Sequence, residues 1–205
     1  MSSQYLWFLS RGSGLVLLVL FSAVVVLGVA TRTGSAPRRW PSFAVAELHR
    51  TLSLFAVALL VLHVVTAILD PFVTIGWAAT LLPLASPYRT LAIGLGTLAV
   101  DLGGAVLVTS LRRRRLGQRA WRAVHWLAYL AWPAAFIHSL TAGNDLGIWW
   151  VALIEVGSAA AVTAAVLARV FSRSGGGPAE PPSGLSRQRP GAGRLASARS
   201  AAGAP

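Results

Sequence analysis

Four histidines are the residues of this chain best suited to chemistry, and all four fall in two apolar stretches. His49 and His63 lie in ELHRTLSLFAVALLVLHVV, and His125 and His138 lie in WRAVHWLAYLAWPAAFIHSL. A neutral imidazole is a metal ligand and a proton carrier, and an ionisable group inside an apolar helix is costly enough to point to a function. His49 and His63 are fourteen residues apart, which at about 100° per residue leaves them near one helix face, roughly 21 Å apart along the axis. His125 and His138 are thirteen apart, about 140° off a common face in an ideal helix. Pro133 between them removes a hydrogen bond, so a kink or local rewinding is expected there.

The elements that carry these residues read as membrane spans. Of 205 residues 55% are hydrophobic, and the mean hydropathy is +0.65. Predominantly apolar runs of eighteen or more residues cross a hydrocarbon core of about 30 Å. Five such runs are expected, at 7–30, 43–69, 90–111, 120–142 and 148–171, and lipid makes each of them a helix. The expected fold is an all-α integral membrane protein, a five-helix transmembrane bundle over residues 1–171 with a bis-histidine core. Residues 172–205, rich in Arg, Gly, Pro, Ser and Ala, are expected to form a disordered cytoplasmic tail.

Charge orients the bundle. All 18 basic residues are arginine, and the net charge is +12. They concentrate in the first connection (Arg32, Arg38, Arg39), the third (Arg112 to Arg115, Arg119, Arg122) and the tail, whereas the second and fourth connections carry little basic charge. Basic loops stay in the cytoplasm, so the expected chain sits in the plasma membrane with its N-terminus outside and its C-terminus inside. A cleaved signal peptide ending at GSA (residues 34–36) would reverse the arginine-rich connection and lacks a basic n-region. The tail arginines are spaced without interleaved aromatics, so no nucleic-acid partner is expected; the lipid bilayer is the expected surroundings. With no cysteine in the chain, disulfides and thiolate metal sites are excluded.

In this topology the histidines match in depth. His49 and His125 share the cytoplasmic level, and His63 and His138 share the outer level. Two imidazoles facing each other across an apolar bundle suit bis-histidine haem ligation. Arg50 and Arg122 beside the inner pair, and Arg89 and Arg11 at the outer level, are candidates for propionate contacts, because arginine recognises carboxylates bidentately. Asp101 and Glu155 are intramembrane acids with no assigned role. Tyr129, Trp132 and Phe136 form a stripe read as packing, and Trp149 and Trp150 read as interface anchors. The segment PFVTIGWAATLLPLASPYR is expected at the outer interface, as a short helix covering the outer site. The string GLGTLA, with Gly94 and Gly96, matches a dinucleotide fingerprint but lies within a span with no strand before it; close helix packing is the better reading.

The histidine spacing, fourteen on one helix and thirteen on a later one with one helix between, resembles the ferric reductase-like transmembrane domain family, the membrane haem domain of ferric reductases and NADPH oxidases. The arginine-rich loop followed by WRAVHWLAYLAWP is similar to its actinobacterial single-domain type. The resemblance covers about residues 7–169. It implies two stacked b-type haems, with His49/His125 and His63/His138 as axial ligands of the iron, carrying electrons across the membrane. Family members often append flavin and nicotinamide domains. Here about 34 residues follow the last span, so no flavin or NADPH is expected on this chain, and the donor is expected to be a separate flavoprotein or a quinol at the cytoplasmic face. The chain would then be the haem membrane subunit of an oxidoreductase, delivering electrons to an external acceptor. A quinol-oxidising cytochrome b subunit and a non-redox transporter or scaffold are the alternatives.

Overall fold

A computed structural model describes residues 2–33, 41–71, 73, 75–143 and 145–174. The regular elements among the described residues are all helices, with no strand. Six helices follow in order: α1 (Ser2–Thr33), α2 (Ser42–Leu69), α3 (Thr90–Leu111), α4 (Arg113–His125), α5 (Ala128–Ala142) and α6 (Trp149–Ser174). Among the described residues, α1, α2, α3 and α6 are each long and apolar enough to cross a membrane. Residues 34–40, with Arg38, Arg39 and the GSA string, lie outside the described residues. So does the expected tail from 175 onward, while α6 continues three residues past the expected end of the last span.

The expected fourth span, 120–142, differs from a single helix. It is divided between α4 and α5, which meet at Trp126 and Leu127. The path stays helical but tightens. Leu127, Tyr129 and Leu130 donate their backbone N–H groups to carbonyls three residues back, on Val124, Trp126 and Leu127. Such 3₁₀ geometry turns about 120° per residue instead of 100°. Three or four residues of it therefore close roughly half of the ~140° that separates His125 from His138 in an ideal helix. The rewinding lies in the turn before Pro133, whose ring crowds the carbonyl of Tyr129 and offers it no N–H. Pro133 itself sits within α5.

Contacts fix the packing. Ser10 and Val24 of α1 meet His63 and His49 of α2, an order that makes the two helices antiparallel. Ala92 of α3 meets His138 of α5. Glu155 and Arg169 of α6 meet Ser139 and Tyr129, so α6 runs antiparallel to α5. A core forms where Val25, Trp132 and Val162 meet, with Phe21, Tyr129 and Phe136 against them. Trp132 stacks on Phe136 at 5.1 Å and donates its indole N–H to Ser22 Oγ at 2.9 Å, so these two members of the aromatic stripe serve packing. The outward surface keeps large apolar side chains such as Phe55, Leu91 and Leu153 exposed, which in water would be a liability and in lipid is the expected exterior.

Local signals terminate the elements. Asp70 leaves α2 with extended backbone, as the residue before Pro71 must. Gly117 (φ 76°, ψ 159°) breaks α4 into two pieces, a conformation that glycine adopts freely. The connection between α2 and α3 holds a 3₁₀ turn, Trp77–Thr80, whose Ala79 carbonyl accepts a hydrogen bond from Thr97 of α3 at 2.5 Å. Gly94 admits the same segment: a Cβ there would lie 2.8 Å from a Leu84 methyl.

Candidate functional site

The four histidines are brought together in two pairs. The rings of His49 and His125 are 6.4 Å apart between centres, with planes at 65°. Those of His63 and His138 are 6.3 Å apart, at 80°. The partners named from depth alone are therefore the partners in space. One metal atom between two imidazoles needs two bonds of about 2.0 Å plus about 1.1 Å from each nitrogen to its ring centre, roughly 6 Å in all. Both pairs have that separation. Rings in direct contact would not need a common gap, nor the same gap at two levels.

Hydrogen bonds orient the rings. The Nδ1 groups of His49, His63 and His138 lie 2.9, 2.9 and 2.7 Å from the backbone carbonyls of Val24, Ser10 and Ala92. A carbonyl only accepts, so each Nδ1 carries the proton and donates it. In a neutral ring the lone pair then sits on Nε2, the tautomer a metal would need. His125 differs. Its Nδ1 is buried without a hydrogen-bond partner among the described residues, and its ring is held instead by Trp121, 5.0 Å away and tilted by 32°.

Glycines on the facing helices make room. A Cβ on Gly14 would lie 3.0 Å from the His63 ring, one on Gly28 3.2 Å from His49, and one on Gly96 2.7 Å from His138. Sequence reasoning assigned Gly96 only to general close packing. The missed signal was the equal spacing of fourteen between Gly14 and Gly28 and between His49 and His63.

Both pairs line one cavity of about 990 Å³ between the helices, at the top of the range for ligand pockets. No group of three or more His, Cys, Asp or Glu able to hold a metal ion exists among the described residues. Each level thus offers two imidazoles, and a metal held there would need the rest of its coordination from a group that brings it. A flat four-nitrogen macrocycle meets that requirement, and the donor set of imidazoles in an apolar wall fits it.

The arginines sort differently from expectation. Arg50 borders the cavity but is exposed and points to Glu47 at 3.7 Å on its own helix. Arg122 borders the cavity and is exposed. Arg89 does not line it: its guanidinium donates to the carbonyls of Thr141 and Ala142 at 2.8 and 3.2 Å, binding the C-terminus of α5, where a cation is favourable. Arg11 lines the cavity at the end of the bundle that holds His63 and pairs with Asp145. The arginine that sequence reasoning passed over is Arg169. It lines the cavity and is 8% exposed. It donates to Tyr129 Oη at 2.6 Å and lies 4.7 Å from the centre of the Trp126 ring. No carboxylate pairs with it among the described residues.

The two acids also separate. Asp101 is exposed on the outward side of α3. Glu155 is buried, lines the cavity and accepts a hydrogen bond from Ser139 at 2.5 Å. Trp149 and Trp150 are exposed at the start of α6.

A family model described as "ferric reductase like transmembrane component" matches residues 13–136. The match includes His49, His63 and His125 and ends two residues before His138. No curated protein and no solved structure matches the chain.

Proposed function

The chain belongs to the family of ferric reductase like transmembrane components, membrane proteins of redox electron transfer, and from that premise we propose that it carries electrons across the bilayer through two b-type haems. The observation that carries this reading is the pair of imidazole couples, 6.4 and 6.3 Å between ring centres, in one cavity. His49 and His125 would hold the inner haem, and His63 and His138 the outer. Bound haem supplies reversible one-electron chemistry.

The residues of the chain do the rest. The carbonyls of Ser10, Val24 and Ala92 hold three rings in the Nε2-presenting tautomer. Helix spacing holds the two levels about 21 Å apart along α2. The apolar wall excludes water. Arg169 offers a buried, carboxylate-free guanidinium at the inner level, suited to a propionate, and replaces Arg50, Arg122 and Arg89 as the preferred contact.

The five-span topology is part of the proposal. From 118 to 142 the path through α4 and α5 is long enough, at about 1.5 Å per residue, to cross a ~30 Å core. The N-terminus is then outside, in the plasma membrane, and the end of α6 is in the cytoplasm. The exposed Arg112 to Arg115 cluster next to the inner pair suits an acidic flavoprotein or a quinol-linked donor, and electrons leave from the outer level to an external acceptor.

Purified protein supplied with haem is expected to show low-spin b-type absorbance near two per chain. His63→Ala or His138→Ala removes mainly the outer haem, and His49→Ala or His125→Ala mainly the inner. Folded protein with no haem absorbance refutes the proposal.

A further inference from the structure

Three of the four imidazoles are anchored to a helix carbonyl, and the three anchors share one construction. The accepting carbonyl is at position i of a helix and a glycine is at i+4: Ser10 with Gly14, Val24 with Gly28, and Ala92 with Gly96. The physical reason lies in helix geometry. A Cβ tilts toward the N-terminus, so a side chain covers the turn before its own Cα. The residue at i+4 therefore shields the carbonyl at i from the side. A glycine there leaves that oxygen open, and its second lone pair can accept from a neighbouring helix while the first keeps the helical bond. The imidazole occupies the space the missing Cβ vacates, with ring atoms 2.7 to 3.2 Å from where it would be.

The construction repeats every fourteen residues in α1, matching the fourteen between His63 and His49 on antiparallel α2. In α3 the same step from Ala92 and Gly96 leads to Val106 and Ser110. The glycine is absent at that position. Ser110 Oγ instead accepts a hydrogen bond from the Trp121 indole at 3.3 Å, and Trp121 lies against the His125 ring. This is the level at which the buried Nδ1 has no partner.

We propose that Gly14, Gly28 and Gly96 are positioning residues that expose helix carbonyls to anchor His63, His49 and His138, and that His125, which has no such anchor, is the weak and replaceable ligand of the inner site. The inner site is then the one at which a small exogenous ligand enters, displacing His125 and leaving His49 in place. The outer site, anchored on both sides, resists exchange. Loss of a hydrogen bond behind a metal-bound imidazole lowers its basicity and typically costs 10–100-fold in metal affinity.

The inference rests on the haem reading, and the test separates the two. Two variants of the full chain each keep one site: His63→Ala/His138→Ala keeps the inner, and His49→Ala/His125→Ala keeps the outer. Each is reduced with dithionite and titrated with carbon monoxide, followed by visible absorbance. The inner-site variant is expected to bind carbon monoxide about 10–100-fold more tightly. Adding Gly96→Ala to the outer-site variant displaces His138 from its carbonyl and is expected to raise that variant's affinity about tenfold, with no such rise in the inner-site variant, a contrast that general loosening of the fold would not produce. Gly14→Ala, with its milder 3.0 Å approach to His63, makes the same test should Gly96→Ala fail to fold. Equal affinities at the two sites overturn the inference, as do glycine variants that retain haem with unchanged affinity. Absence of haem from the unaltered chain overturns the proposed function instead.

Discussion

Replacing Arg169 by methionine tests whether the buried cation serves a bound group or the fold. The guanidinium is 8% exposed, donates to Tyr129 at 2.6 Å and lies over the Trp126 and Tyr129 rings at 4.7 and 5.3 Å. Keeping an unpaired cation in that position costs several kcal/mol of desolvation, and a methionine of similar volume removes the cost. The Tyr129 bond and the ring contacts offset part of it, a charged hydrogen bond contributing about 1.5–3 kcal/mol and a cation–π contact about 0.5–2. Arg169→Met is therefore expected to leave the thermal midpoint of the haem-free protein unchanged or slightly raised. A charge-assisted bond to a haem carboxylate would also be worth about 1.5–3 kcal/mol, which is roughly 10- to 100-fold in affinity. The assay is titration of haem into the inner-site variant, with and without Arg169→Met, followed by absorbance. Arg50→Met is the control, because Arg50 is a cavity-border residue whose side chain is 73% exposed; it is expected to change haem affinity less than threefold, in line with about 0–1 kcal/mol for exposed pairs. Unchanged haem affinity in Arg169→Met, or an equal loss in Arg50→Met, refutes the assignment. A large drop in thermal stability without haem would show that Arg169 serves packing.

Breaking the Arg11–Asp145 pair with Arg11→Leu is expected to destabilise the outer end by about 1–3 kcal/mol, and Arg11→Leu/Asp145→Leu by less than the sum of the single changes, as a double-mutant cycle in detergent would measure. Arg89→Ala removes the donors to Thr141 and Ala142 and is expected to cost about 1 kcal/mol in thermal unfolding while leaving the haem spectrum unchanged. A reporter fused after α6 should be active only in a form that works in the cytoplasm; activity of a periplasm-type reporter would reverse the inner and outer labels. Purified protein should be reduced by dithionite and not by NADPH alone, and neutralising Arg112 to Arg115 should slow donor-dependent reduction at low salt, where steering is strongest. Unchanged rates in an orientation-verified variant would exclude docking at that cluster.

The sequence by itself determined the all-helical membrane class, because backbone groups in lipid must be satisfied within each segment and a run of apolar residues is visible without any partner. It also determined which histidines pair, since depth in a span depends only on residue count and direction, and His49/His125 and His63/His138 meet as depth matching requires. Tertiary structure decided what depends on which faces meet. The rotation between His125 and His138 is altered by 3₁₀ hydrogen bonds before Pro133, and propensity does not reveal how a strained turn relaxes against its neighbours. Arg169, Arg89 and Arg50 carry the same charge, yet one is buried against the cavity, one binds a helix end and one lies exposed at the cavity border. Those fates follow from helix rotation about the long axis, which a nearly uniform apolar surface leaves unmarked in sequence. The carbonyl–glycine anchors lie between these cases. Their spacing of fourteen is written in α1, but the oxygen that each glycine uncovers acquires meaning only when an imidazole from another helix arrives within hydrogen-bond reach.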